Sequence, residues 1–222
     1  MNQRQQRLIF FGDSVCVGQG VSIHKGWVAR LAAHVSDLAE QRGHDVLIIN
    51  ASINGNTTRQ ALERMPYDVQ SHGVDYMIVQ FGMNDCNYWQ TDKGVPRVSP
   101  KAFGANLEEI IARAFTFGAK RVVLNTNHPT TWNGDKLPFT AITFQDSNRQ
   151  YNEIIRNVAR QHPGGVILND IERQIEELIR GGRVKDLAEL LLEDGLHLSE
   201  RGHQVYYEVI EPIIDQVLGA GD

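Results

Sequence analysis

The chain has 222 residues, 41% hydrophobic and 22% charged, which suits one globular domain over 1–222 with a sizeable core. Its 22 Lys and Arg against 27 Asp and Glu leave a net charge of −5, which argues against a general nucleic-acid binder with its basic face. No run reaches the roughly 18–20 continuous apolar residues of a membrane span, and Cys16 and Cys86 form neither a disulfide framework nor a zinc cluster.

The opening Met-Asn-Gln-Arg-Gln-Gln-Arg leads into only four strongly apolar residues, Leu8 to Phe11. That is short of the about 7–15 apolar residues of a signal peptide, so a soluble, reduced, cytoplasmic protein is expected. Leu8–Phe11 is itself the first strand signal. A helical repeat of Trp27, Leu31, Val35 and Leu38 follows, then the apolar runs Val46–Ile49 and Tyr76–Phe81. All three runs have the length and β-rich composition of buried strands. Phe103, Leu107, Ile110, Ile111, Ala114 and Phe115 recur at helical spacing, and Val122–Leu124 is a fourth strand. Phe144 to Gln161 carries Tyr151, Ile154, Ile155 and Val158 on one helical face, and Val166–Leu168 is a fifth strand. The segment from Ile171 to Leu192 reads as extra helical material broken at Gly181-Gly182. In the last helix Val205, Val209, Ile213 and Val217 align, and Pro212 within it predicts a kink or a break.

Strands alternating with helices predict an α/β fold. We expect three layers, α/β/α, flavodoxin-like, with a parallel sheet of about five strands. Ligands in such sheets meet the loops at the C-terminal ends of the strands, here 12–20, 50–58, 82–100 and 125–143. No internal repeat or linker divides the chain.

Four patches at these places carry chemistry. Gly12-Asp13-Ser14 ends the first strand, and a serine at such a turn can project its hydroxyl above the sheet, although Ser also caps helices. Gly18-Gln-Gly20-Val-Ser-Ile23 fails the phosphate-cradling pattern, and neither Gly-x-x-x-x-Gly-Lys-Ser/Thr nor a Gly-x-Ser-x-Gly elbow is present. Gly55, after Asn50, lets backbone approach a ligand; the same segment also suits an ordinary turn capped by Thr57 or Thr58. Asn84, in Gly82-Met-Asn84-Asp85, can donate hydrogen bonds into a cleft, and Asn-Asp also makes common turns. Asp194 and His197, three residues apart, can pair a carboxylate with imidazole Nδ1 and free Nε2 as a base, or form a surface pair with Ser199 as a helix cap. A metal would need a compact cluster or His-Glu-x-x-His; His203 alone adds neither, so no metal is expected.

Taken in order, Gly12-Asp13-Ser14-(x)₃-Gly18, Asn50-(x)₄-Gly55, Gly82-x-Asn84-Asp85 and Asp194-x-x-His197 resemble the four signature blocks of the SGNH/GDSL hydrolase family. The resemblance runs over nearly the whole chain. It departs only at Val15, where Leu is common, and Leu198, where Pro is common. It implies the SGNH hydrolase fold, Ser14 as nucleophile, His197 as general base and Asp194 as its orienting acid. It also implies an oxyanion hole from the Ser14 and Gly55 backbone N–H groups and the Asn84 amide, with no cofactor.

The implied reaction is hydrolysis of a carboxylic ester through an acyl-enzyme. An acyltransferase or thioesterase would use the same residues, and a non-catalytic α/β binding module is the rival outside enzymes. Tyr88, Trp89, Trp132 and Phe139, set among polar residues in the long loops 86–100 and 127–143, would suit a sugar or equally anchor the loops. The expected partner is therefore a small ester with a short acyl group, an O-acetylated carbohydrate among the candidates. Asp13, Trp89, His128 and Trp132 are candidate substrate contacts, with Asp13 also able to brace its own turn.

Overall fold

The structure, a computed structural model, describes residues 5–219. Met1 to Arg4, part of the segment weighed above as a leader, lie outside the described residues.

Every expected strand forms. In chain order the elements are β1 (Gln6–Gly12), α1 (Ser14–Val17), α2 (Trp27–Gln41), β2 (Val46–Asn50), α3 (Thr58–Met65), β3 (Tyr76–Gln80), α4 (Pro100–Thr116), β4 (Arg121–Asn125), α5 (Phe144–Gln161), β5 (Val166–Asn169), α6 (Ile171–Arg180) and α7 (Glu200–Gly219). The strands pair in the order β2-β1-β3-β4-β5, all parallel. After β2 the chain crosses back over β1, so α3, α4 and α5 pack on one face of the sheet and α2, α6 and α7 on the other. This is the expected three-layer arrangement.

The reversal places the topological switch between β1 and β3, and Gly12 pairs in register with Gln80 there. Ser14 and Asn84 therefore both emerge just beyond the same end of the same strand pair. A Cβ at Gly12 would lie 2.5 Å from Cys16 Sγ and 2.9 Å from the Gln80 carbonyl, so only glycine fits that junction.

The core runs through β1, β3 and β4. Trp27 stacks on Tyr206 with ring centroids 4.5 Å apart and meets Phe10 edge-on at 5.6 Å, tying α2, α7 and β1 together. Two expectations need correction. β2 is an edge strand whose residues are half-buried or exposed, Leu47 among them, because only β1 flanks it. And Pro212 does not break the last helix: α7 continues to Gly219. Pro212 sits on the exposed face and Glu208, whose carbonyl loses its helical donor, is exposed as well, so the lost bond lies away from the core.

Candidate active site

Ser14 begins α1 straight after β1. Asp13 is the cap of that short helix, accepting from the Val15 N–H at 3.0 Å, and Gly18 closes it in the left-handed region at φ 77°. Ser14 is thus not the cap, and its side chain is left for the cleft. Trp27 Nε1–H donates to the Val15 carbonyl at 2.9 Å, holding the turn from beneath.

His197 arrives from the far end of the chain. Its Nε2 lies 3.1 Å from Ser14 Oγ and its Nδ1 2.7 Å from Asp194 Oδ2. Asp194 Oδ1 also accepts the backbone N–H groups of Leu196 and His197, each at 2.9 Å. Burial works to raise the Asp194 pKa, but hydrogen bonds from the His197 ring and these two N–H groups outweigh it and hold the carboxylate below its usual range. An ionised Asp194 takes the Nδ1–H, leaving the Nε2 lone pair to receive the Ser14 proton. Gly195 lies between them at φ 67°, and a Cβ there would collide with Thr131 Oγ1.

Ser14, Gly55, Asn84 and His197 line one cavity of about 210 Å³, together with Val15, Gln19, Met83, Asn87, Phe144 and Leu196. Asn84 Nδ2 donates to Asp13 Oδ2 at 3.3 Å, while Asn84 Oδ1 accepts from Arg97 Nη1 at 3.2 Å. Behind it Asp85 accepts from the Thr58 N–H at 2.9 Å and the Thr58 hydroxyl at 2.5 Å. Burial raises the Asp85 carboxyl to about 6 against those bonds. Asp13 is raised to about 7 by burial, with Asp85 adding to the rise against the Val15 N–H.

The candidate substrate contacts divide. Asp13 and His128 are both 0% exposed, and each bonds to the frame of the site rather than opening on the cleft. His128 Nε2–H donates to the Leu196 carbonyl at 2.8 Å, bracing the loop that carries His197, and burial lowers its pKa to about 4, so it is neutral. Trp89 is exposed and does not line the Ser14 cavity; its ring covers the Arg97 guanidinium at 4.4 Å. Trp132 lines a neighbouring cavity of about 410 Å³ that shares Phe144 with the first, and its Nε1–H donates to the Asp194 carbonyl at 2.6 Å. Cys16 and Cys86 are buried, and burial drives both thiols well above their usual range, which suppresses thiolate chemistry.

A buried polar network underlies the site. Tyr206 O–H donates to Gln80 Oε1, Gln80 Nε2 to Asn127 Oδ1 at 2.9 Å, and Asn127 Nδ2 to Asn148 Oδ1 at 3.0 Å. Asn152 bonds both ends of the Asn127 backbone, accepting its N–H at 2.8 Å and donating to its carbonyl at 3.0 Å. These amides, and Arg97, Gln19 and Phe144 near the cleft, carry no motif; the length of loop 86–100 was the one hint toward Arg97.

The model of the GDSL-like lipase/acylhydrolase family matches residues 10–205. The arylesterase of Vibrio mimicus is 30% identical over 131 residues, covering 59% of this chain and 60% of that protein. Esterase TesA of Pseudomonas aeruginosa is 28% identical over 127 residues, 57% of each. The chain thus spans about three fifths of each of these two relatives. Among solved structures, the acetylxylan esterase Axe2 of Geobacillus stearothermophilus superposes with a TM-score of 0.73 over 92% of both chains at 20% identity, a likeness of fold.

Proposed function

The chain belongs to the GDSL-like lipase/acylhydrolase family, and from that premise we propose that it is a serine carboxylic-ester hydrolase working through an acyl-enzyme on short acyl esters. The observation that carries this reading is the line Asp194–His197–Ser14, with contacts of 2.7 and 3.1 Å, opening on a cavity that Gly55 and Asn84 also line.

Ser14 Oγ attacks the ester carbonyl while His197 Nε2 takes its proton, and ionised Asp194 stabilises the imidazolium. The negative charge forming on the carbonyl oxygen is met by the backbone N–H groups of Ser14 and Gly55 and by Asn84 Nδ2–H. The tetrahedral intermediate collapses, breaking the bond to the alcohol oxygen, and His197 returns the proton to the departing alcohol. Water, deprotonated by His197, then attacks the acyl-serine; collapse breaks the bond to Ser14 Oγ, which takes the proton back from His197, and releases the acid.

A cavity of about 210 Å³ is smaller than the roughly 300–1,000 Å³ of sites that enclose drug-sized ligands, which favours a short acyl group. Trp132, flanked by Asn133, Asp135 and Lys136 in the adjoining cavity, offers an aromatic face with hydrogen-bonding edges to the alcohol side. An O-acetyl group on a carbohydrate or similar polar molecule fits both features.

The test is hydrolysis of p-nitrophenyl acetate, butyrate and octanoate by wild type and by Ser14→Ala, with circular dichroism to establish folding. Acetate hydrolysis that vanishes in the folded variant, and falls with acyl length in the wild type, supports the reading. Equal rates in both proteins remove Ser14 as nucleophile.

A further inference from the structure

Arg97 stands at the back of the proposed oxyanion hole and holds two of its members at once. Nη1 donates to Asn84 Oδ1 and Nη2 to the Gly55 carbonyl, each at 3.2 Å. Gly55 follows β2 and Asn84 follows β3, so the planar fork bridges two separate strand-end loops. Its own place is built: Arg97 N–H donates to the Asn87 carbonyl at 2.9 Å and Val98 N–H to the Asp85 carbonyl at 3.2 Å, folding the loop back on the turn that bears Asn84. Trp89 covers the guanidinium at 4.4 Å from the outside.

The consequence follows from the two ends of an amide. Asn84 Nδ2 gives one hydrogen to Asp13 Oδ2, and Oδ1 is taken by Arg97. The second Nδ2 hydrogen is then the one left for a developing oxyanion. Turned end for end, the amide would aim Oδ1 at that negative charge. A cation on Oδ1 opposes the turn and draws electron density from the nitrogen, strengthening the remaining N–H as a donor. At Gly55, φ is 76° and, its chain neighbours aside, no atom lies within 4 Å of where a Cβ would stand; the turn is held by the Asn56 N–H on the Ile53 carbonyl at 3.2 Å and by the guanidinium on the Gly55 carbonyl.

We infer that Arg97 is a positioning residue for the oxyanion hole, fixing the Asn84 amide and the Gly55 turn against each other through its guanidinium fork. This rests on the serine-esterase reading and adds to it a residue that belongs to none of the four signature blocks. Lysine cannot replace it, since an ammonium is a point donor without the fork.

The test measures kcat and KM on p-nitrophenyl acetate for wild type, Ser14→Ala, Asn84→Ala, Arg97→Ala, Arg97→Lys and the Asn84→Ala/Arg97→Ala double variant, with thermal melts of each. Loss of a whole oxyanion donor costs on the order of 10²–10³ in kcat, so loss of its positioning residue should cost about 10- to 100-fold. KM should stay within about twofold, because the interaction strengthens only as charge develops. The Arg97→Ala cost should shrink in the Asn84→Ala background, and millimolar guanidinium should raise kcat of Arg97→Ala but not of the wild type. Arg97→Lys should resemble Arg97→Ala, and it keeps the test valid should the alanine variant not fold. A kcat within twofold of wild type in both Arg97 variants, or a full additive loss in the double variant, overturns the inference. If Ser14→Ala itself hydrolyses like wild type, the esterase reading falls instead.

Discussion

The Trp27 indole N–H donates to the Val15 carbonyl at 2.9 Å, so the first residue of α2 holds up the turn that presents Ser14. The same ring is fully buried between Phe10 and Tyr206. Core packing and the placement of Ser14 therefore meet in one side chain.

Trp27→Phe keeps an aromatic ring but leaves the buried Val15 carbonyl without that donor. Unsatisfied burial of this kind costs about 1–3 kcal/mol, with a further loss from the smaller ring. Urea unfolding should show the drop in stability, and kcat should fall more than KM rises as the Ser14 turn loosens. Unchanged kcat in a destabilised protein would separate packing from placement.

Asp194 accepts three hydrogen bonds and holds the imidazole in the tautomer that faces Ser14. Asp194→Asn retains the shape but can present an N–H to Nδ1, reversing the tautomer. By analogy with the serine-protease triad, kcat should drop by on the order of 10⁴ with little change in melting temperature. A loss of less than about tenfold would mean that Asp194 contributes geometry alone.

The buried Asp13 carboxyl, raised to about 7 from the ordinary 3.8, gives stability a definite pH dependence. Between those values the native protein keeps a proton that the unfolded chain has released, so this residue's contribution falls as pH rises from about 4 to about 7. His128 and His203, both lowered to about 4 by burial, act in the opposite sense: their contribution falls as pH drops from about 6.5 to about 4. The two effects oppose each other in the wild type. In Asp13→Asn the acid's share is removed while an acceptor for the Val15 N–H remains. Wild-type stability minus that of the variant, from urea titrations at several pH values, should decline from pH 4 to pH 7. A flat difference would show that Asp13 ionises at its ordinary value.

Gly195→Ala would force a Cβ into Thr131 Oγ1 at a backbone angle of φ 67°. Relief must move the Asp194–His197 loop, and a cost of about 2–4 kcal/mol is expected. Activity should fall with the acid and base displaced, while a fluorophosphonate probe, which needs an activated serine, should label Ser14 far more slowly than in wild type. Labelling at the wild-type rate would show that the loop absorbs the methyl group.

Much of the fold was legible because parallel strands are contiguous apolar runs, and Leu8–Phe11 or Val122–Leu124 announce themselves without alternation. The four blocks were legible because each stands where a strand ends. β2 was misread as buried because its run of Val46–Ile49 resembles the inner strands; only strand order reveals an edge. Asp13 and His128 were offered to the substrate because both sit in cleft loops. Their burial depends on distant partners, Asn84 for one and Leu196 for the other, 71 and 68 positions away. The amide network likewise joins Gln80 to Tyr206 across 126 positions, a pairing no local pattern encodes. Arg97 lies in an aperiodic loop, and its meaning comes from the two carbonyl oxygens its fork reaches.

The exposed Gly181-Gly182 turn after α6 divides the residues of the proposed catalytic line between two portions of the chain. Everything before it holds the sheet, Ser14, Gly55, Asn84 and Arg97; everything after it holds Asp194 and His197. A ribosome working from the N-terminus thus builds an unarmed serine first. Ser14 meets His197 only when α7 docks, with His203 receiving the Trp27 backbone N–H and Tyr206 settling on the Trp27 ring. A single protease cut at that turn, followed by separation of the pieces, would disarm the serine as completely as never having made its partner.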